Sequence, residues 1–392
     1  MKSIVIQKYG GSSVGTLERI ERIAAYIHTY LSIHDKKIVI VVSAMGDQTD
    51  DLLKMAHQIS KNPLRREVDM LLSAGERVTM ALLAMALQEL KISSISLTGS
   101  QTGILTNSDH GNARIKEIRC DRLKSHLEIY QVVIVAGFQG VDPFTKEITT
   151  LGRGGSDLTA VALGVALNAQ KCELYKDVDG IFSENPHIYP AAKLIEKISW
   201  ESAYELSAAG AQIIHARAAK LALIFKMPLE IRSTFNSTIQ EKLTLIGNHK
   251  MEELKVIAVH TEKNQTLFTL TKLDRLDFSR LMKDLDHRVL RVTVSHGTWS
   301  IEAFHDSTKV GEWKKNFPAL KIERESQTLL NLIGRGFDSE SVQLDKIYDH
   351  LANFESAYTV LTPSSLRVFV DQETNLSQLL TSLEIFNSAE LI

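Results

Sequence analysis

Residues 38–42 read Ile-Val-Ile-Val-Val, five apolar positions without a polar one between them. A strand with one face in water alternates with period two. An unbroken β-branched run fits a strand covered on both faces, as in a parallel sheet flanked by helices. Short extended segments recur at Ser3–Lys8, Lys37–Ser43, Ile92–Thr98, Gln131–Ala136, Lys171–Tyr175 and Leu229–Arg232. Longer stretches of helical periodicity separate them, among them Leu17–Leu31, Glu67–Leu90 and Asp157–Asn168. This alternation predicts an α/β fold with a mainly parallel sheet and helices on both faces.

The pattern changes around Asn248-His249-Lys250. Shorter units follow in a β-α-β-β-α-β order. One covers Leu254–His260, Thr266–Leu270, a helix near Asp277–Asp286, Val289–Ser295, Trp299–Ala303 and a helix near Thr308–Asn316. A second covers Thr328–Ile333, a helix Ser339–Asn353, Ala357–Leu361, Leu366–Val370 and a helix Leu376–Glu384. The division predicts one domain over 1–248 and a tandem of split-βαβ units over 249–392.

Composition narrows the function little. At 392 residues the chain exceeds one compact core, and a net charge of −2 leaves no footprint for nucleic acid. Two cysteines, Cys120 and Cys172, lack metal-ligand spacing and suit a reduced, cytoplasmic protein. The N-terminus runs directly into the first strand, so neither a signal peptide nor a membrane span is expected there.

The candidate chemistry sits in two glycine-rich turns, each between an extended segment and a helical pattern. Lys8-Tyr9-Gly10-Gly11-Ser12-Ser13 carries a lysine ahead of its glycines. Gly152-Arg153-Gly154-Gly155-Ser156-Asp157 carries an arginine and an aspartate. Glycine lets backbone N–H groups approach an anion, and a helix N-terminus favours negative charge. A guanidinium grips a carboxylate or phosphate in bidentate fashion. Asp157 would suit an ammonium group, a metal, or plain helix capping. Ser43 and Thr49 offer hydroxyls beyond the buried strand, and Glu76 is a carboxylate within an apolar helix. Asp177 and Asp179 lie in a polar turn where a nucleotide or its magnesium could meet them.

Together these segments resemble aspartate kinase of the amino-acid kinase superfamily. The stretches that carry the resemblance are Gln7–Gly15, Val42–Asp50, Leu72–Arg77, Thr98–Gly103, His110–Ile115, Ile134–Val141, Thr149–Leu163 and Asp177–Gly180. The resemblance implies a three-layer α/β/α kinase domain followed by two ACT-like, ferredoxin-like modules that pair in a homodimer. It implies transfer of the γ-phosphoryl of ATP, used with Mg2+, to the side-chain carboxylate of L-aspartate, the first step of aspartate-family amino-acid biosynthesis. Nucleic acid and membrane are not implied partners, and no residue is assigned as a dedicated metal ligand. Lys8 is implied to contact the β/γ-phosphates and act in catalysis, with Gly10, Gly11 and Ser12 lining the phosphates. Arg153 is implied to clamp the aspartate α-carboxylate. Glu76 and Asp157, the latter implied to be catalytic with Lys8, are implied to recognise its ammonium group or to orient Arg153 and Lys8. Ser43, Thr49, Gly154 and Ser156 complete the substrate pocket.

The nucleotide side departs from the family pattern. Lys176 stands where Thr or Ser usually precedes Asp177-Val178-Asp179-Gly180 and is expected to bind the nucleotide, restoring a charge there; Phe182 stands where tyrosine is usual. His187 replaces an arginine and Gln212 a lysine expected to face ATP. Neither C-terminal module has the proline that usually precedes its first helix. These departures keep two alternatives open: a non-catalytic, aspartate-binding relative, or another amino-acid kinase of the superfamily.

Overall fold

The computed structural model describes residues 2–211, 213–234, 243–249, 255–285, 288–295, 298–335, 347, 351, 358–362, 365–371, 374, 376 and 378–379. The chain divides into two compact units. The first is Met1–Ile181, Leu194–Ser207 and Gln212–His249; the second is Phe182–Lys193, Ala208–Ala211 and Lys250–Ile392.

An eight-stranded sheet organises the first unit. Across it the strands are Lys197–Ser199, Thr244–Gly247, Leu229–Ser233, Lys171–Lys176, Ile4–Tyr9, Lys37–Val42, Val132–Ala136 and Ser94–Leu97. From Leu229–Ser233 to Ser94–Leu97 all neighbours pair in parallel. Thr244–Gly247 runs antiparallel to its neighbour and carries Lys197–Ser199 with it. Ile38 through Val42 are wholly buried, as their unbroken apolar run predicts. Ile38, Ile40 and Val42 pack with Ile20, Ile27, Leu83 and Leu87 from helices Leu17–Ile33 and Arg65–Glu89. Helix Gly155–Ala166 covers the other face, between the sheet and helix Ala216–Phe225. It is apolar nearly all round because both its sides are covered.

Helix Arg65–Glu89 is long and apolar enough to cross a membrane by length and composition. It buries Asp69, Ser73, Glu76 and Thr79 within the first unit, so here it serves as a core helix.

A four-stranded sheet of Ile115–Ile118, Ile104–Thr106, Gln139–Val141 and Ile148–Thr150 lies in the same unit. Its strands are three or four residues long, too short for periodicity to reveal.

The second unit holds a six-stranded antiparallel sheet. Its order is Val289–Ser295, Thr298–Asp306, Lys255–Leu273, Leu320–Arg335, Ser365–Asp371 and Tyr358–Thr362. The two strands expected at Leu254–His260 and Thr266–Leu270 form one strand, Lys255–Leu273. The polar stretch between them is a bulged segment. Pairing shifts register from Glu262 to Phe268, and Asn264 adopts φ 58°. Helices Arg275–Leu285 and Ser307–Asn316 pack Leu281, Leu285, Val310 and Trp313 onto Phe268, Leu270 and Ile301. A second cluster joins Val259, Leu330, Leu332, Leu366 and Val368 to Ile347 and Leu351. The expected helices Ser339–Asn353 and Leu376–Glu384 fall largely outside the described residues.

Candidate active site

Lys8 is the penultimate residue of the central strand, and Lys176 is the last residue of the strand beside it. In open parallel sheets, ligand sites lie beyond these carboxyl ends. Tyr9 and Tyr175 are in register and stack on one face, their ring centroids 4.6 Å apart. The period-two alternation of strands then places Lys8 and Lys176 together on the opposite face.

Asp157, in the first turn of helix Gly155–Ala166, meets both lysines. Its Oδ1 lies 2.7 Å from Lys8 Nζ, an ion contact off the hydrogen-bond direction. Its Oδ2 accepts a hydrogen bond from Lys176 Nζ at 2.8 Å. Lys8 and Asp157 are 5% and 4% exposed. Burial pushes the Asp157 carboxyl up, but the ammonium groups of Lys176 and Lys8 outweigh it and hold the group below the ordinary carboxylate range. Burial pulls the Lys8 ammonium down, against the attraction of Asp157.

The turn Gly10–Ser13 is stitched to the turn after the next strand. Ser43 N donates to Tyr9 O, and Gly46 N to Gly11 O at 3.0 Å. A Cβ on Gly11 would lie 3.1 Å from the carbonyls of Ala44 and Gly46. Glycine suits this close approach, since any side chain would force the neighbouring carbonyls to give way. Ser12 is exposed, and its carbonyl accepts from Arg19 Nη1 at 2.6 Å. Ser43 is half-buried, as is Thr49 in the first turn of helix Gln48–Ile59.

Glu76 forms another wall. Its Oε1 accepts from Ala44 N at 3.2 Å, while Oε2 is buried and, among the described residues, has no hydrogen-bond partner. Burial raises its carboxyl to about 7, although hydrogen bonds and the Lys8 charge pull it back. A buried carboxylate with an open acceptor is well suited to a cationic guest.

The second glycine turn carries real backbone demands. Gly152 and Gly154 adopt φ 80° and 68°. A Cβ on Gly154 would lie 2.4 Å from the His215 ring. Ser156 is buried, packed where any Cβ on Gly137 would collide with it. Arg153 stands apart: its side chain is 93% exposed, with a guanidinium nitrogen 3.8 Å from Asp50 Oδ1. Thus Lys8, Asp157 and Lys176 come together directly, and Glu76 lies within reach of the Lys8 charge. Arg153 does not join them.

Of the residues expected to meet the nucleotide, Asp177 is exposed and Asp179 half-buried. Phe182 and His187 belong to the second unit. There Phe182 is half-buried, and the exposed His187 donates its backbone N–H to Asn185 Oδ1 at 3.0 Å. Gln212 lies outside the described residues.

Sequence reasoning missed Asp69. It is wholly buried and accepts from Thr150 Oγ1 at 2.5 Å and from the Gly111 amide at 3.1 Å, and its Oδ2 lies 2.7 Å from His110 Nδ1. Arg217 braces the same region, donating to Leu151 O at 2.6 Å and Ala113 O at 2.9 Å. A signal for Asp69 was present: it precedes Glu76 by seven residues, on the same face of one apolar helix.

Comparison with known proteins matches residues 3–233 to the amino acid kinase family. An aspartokinase of Mycolicibacterium smegmatis is 48% identical over 238 residues, 60% of this chain and 55% of that protein. An aspartokinase of Corynebacterium glutamicum is 45% identical over 276 residues, 68% of this chain and 64% of that protein. The chain therefore spans less than two thirds of these relatives. Aspartokinase 2 of Bacillus subtilis is 37% identical over 386 residues, 93% of this chain and 92% of that protein. The fold is similar to Escherichia coli aspartokinase III in complex with aspartate and ADP, with TM-score 0.77, 22% identity, 97% of this chain and 99% of that one.

Proposed function

Because the chain belongs to the amino acid kinase family and, within it, to the aspartokinases, we propose that it transfers the γ-phosphoryl group of ATP to the side-chain carboxylate of L-aspartate, giving 4-phospho-L-aspartate. ATP enters as its magnesium complex. The product opens aspartate-family amino-acid biosynthesis, and two buried cysteines not joined in a disulfide, Cys120 and Cys172, suit a cytoplasmic setting.

One observation carries the reading: Glu76 presents a buried carboxylate oxygen, unpartnered among the described residues, within reach of the buried Lys8 charge. Aspartate combines the complementary groups, an ammonium for Glu76 and a carboxylate to be drawn toward Lys8. That carboxylate, with an ordinary pKa of ~3.9, is ionised at neutral pH, so the attack requires no general base. The work is to bring an anion against a polyanion, and it falls to positioned charge. Lys8 neutralises charge developing on the transferred group, and Asp157 fixes the Lys8 ammonium in place. Backbone N–H groups of Gly10, Gly11 and Ser12 line the phosphates. Arg153 grips the aspartate α-carboxylate, with Ser43, Thr49, Gly154 and Ser156 completing the pocket. Lys176, Asp177, Phe182, His187 and Gln212 are assigned to the nucleotide side by the positions they hold in the family pattern.

Residues 1–248 form the catalytic part in this reading and 249–392 a tandem of ACT-like modules. The six-stranded antiparallel sheet of the second unit, with helices Arg275–Leu285 and Ser307–Asn316 packed on it, supports the latter. Its outermost strands, Val289–Ser295 and Tyr358–Thr362, offer edges through which a homodimer would pair.

The test is ATP consumption with L-aspartate, the acyl phosphate being trapped with hydroxylamine. Hydroxamate formation specific to aspartate supports the reading. Turnover of a different acidic substrate would point to another amino-acid kinase. No turnover, with no calorimetric binding at millimolar ATP, would mean a non-catalytic relative.

A further inference from the structure

Two lysines converge on one carboxylate, and one of them is in surplus. Lys8 alone neutralises Asp157, at 2.7 Å and from full burial. Yet Lys176 brings a second ammonium to the other oxygen at 2.8 Å, its side chain only 16% exposed. Among the described residues Glu76 makes no ion pair with either lysine; it hydrogen-bonds to Ala44. Two ammonium groups around one ionised carboxylate leave one positive charge without a counterion. Half-burying such a charge is costly unless an anion compensates it.

Their placement indicates where that anion sits. Lys8 is in register with Leu174, so Lys176 lies two residues further toward the carboxyl edge of the sheet on the same face. Two residues of strand advance ~7 Å. Lys176 therefore stands outward of Lys8, toward the mouth of the site, beside the N-terminus of helix Gly155–Ala166. The glycine turn begins two residues after Lys8, where a Cβ on Gly10 would lie 3.5 Å from Lys8 Nζ.

We propose that Lys176 is the second jaw of an anion clamp, held by Asp157 beside Lys8 so that both ammonium groups grip the phosphate tail of the nucleotide. This rests on the phosphoryl-transfer reading above. It makes Lys176 more than a neutraliser of Asp157, and it gives this chain a phosphate-binding cation at a strand end.

Two measurements test the clamp. In the unmutated protein, acetylation of Lys176 is followed by mass spectrometry. ADP should shield Lys176 at least fivefold, and adenosine at the same concentration should not. Absence of shielding by ADP, or equal shielding by adenosine, would overturn the proposal. In steady-state kinetics, Lys176→Met should raise the KM for ATP at least tenfold while the KM for aspartate stays within threefold. Lys176→Arg should recover most of the loss. An ATP KM within twofold of wild type, or an equal rise for both substrates, would reduce Lys176 to a structural counterion. The labelling result stands even if Lys176→Met does not fold. Shielding by ADP without aspartate turnover would retain the clamp and reject the proposed reaction, so the two claims fail separately.

Discussion

Glu76 and Ala44 are joined by one hydrogen bond that uses half of a carboxylate. Ala44 N donates to Oε1, and Oε2 is left buried and, among the described residues, unpartnered. The carboxyl titrates near 7 in the folded protein, chiefly because it is buried, against an ordinary 4.5. The folded state therefore binds this proton more tightly than the unfolded chain. The favourable contribution is complete below the unfolded value and is lost as pH rises through 7. At about 1.36 kcal/mol per unit, the ceiling is about 3 kcal/mol. Glu76→Gln should melt higher than wild type at pH 8 in the absence of substrate, and the gap should shrink toward pH 5. Its aspartate KM should rise at least tenfold. Parallel melting curves across that pH range would refute the assignment of the proton to Glu76.

Arg153 separates binding from folding. Its side chain is almost fully exposed and pairs loosely with Asp50. Arg153→Ala should leave the melting temperature nearly unchanged, as surface substitutions do. The aspartate KM should rise at least tenfold and the ATP KM less than twofold. Equal effects on both substrates would remove Arg153 from the aspartate pocket.

Asp157 is the keystone of a buried and a half-buried ammonium group, so Asp157→Asn strands both. The expected loss is about 3–5 kcal/mol at pH 7, read from urea unfolding. The folded carboxyl lies below its ordinary value of 3.8, so its stabilisation is present above that value and is lost as pH falls through the depressed folded value. The difference between variant and wild type should therefore narrow as pH drops from 5 toward 2. A gap independent of pH would mean that the loss is steric.

Lys8→Met keeps Asp157 paired through Lys176. It should fold, and kcat should fall on the order of a hundredfold or more, as for loss of one charge-stabilising donor. An unchanged kcat would exclude Lys8 from the chemical step.

Asp69 tests the scaffold behind the second glycine turn. Asp69→Ala leaves donors on Thr150 and Gly111 without their acceptor, at an expected cost of about 3 kcal/mol. Gly152 packs closely on Gly111, since a Cβ there would lie 3.2 Å from the Gly111 carbonyl. The aspartate KM should therefore rise severalfold with the ATP KM unchanged. Wild-type values for stability and aspartate KM would show that the network is dispensable.

The sequence alone determined the buried parallel sheet, because an unbroken β-branched run such as Ile38–Val42, set between helical patterns, suits a strand covered on both faces. It also marked both glycine turns, because close approach at Gly11 and positive φ at Gly152 and Gly154 leave few alternatives to glycine. Both are local demands written in neighbouring residues. Tertiary structure decided the rest. The short strands at 104–106 and 115–118 exist through pairing rather than pattern. Thr261–Gln265 reads as a break but is carried through as a bulge, because Leu320–Arg335 pairs along both sides of it. Most of all, only the fold brings Asp157 between Lys8 and Lys176, from three segments 149 and 19 residues apart. Charge in a linear chain has no partner until burial removes water and adjacent strands set the distance.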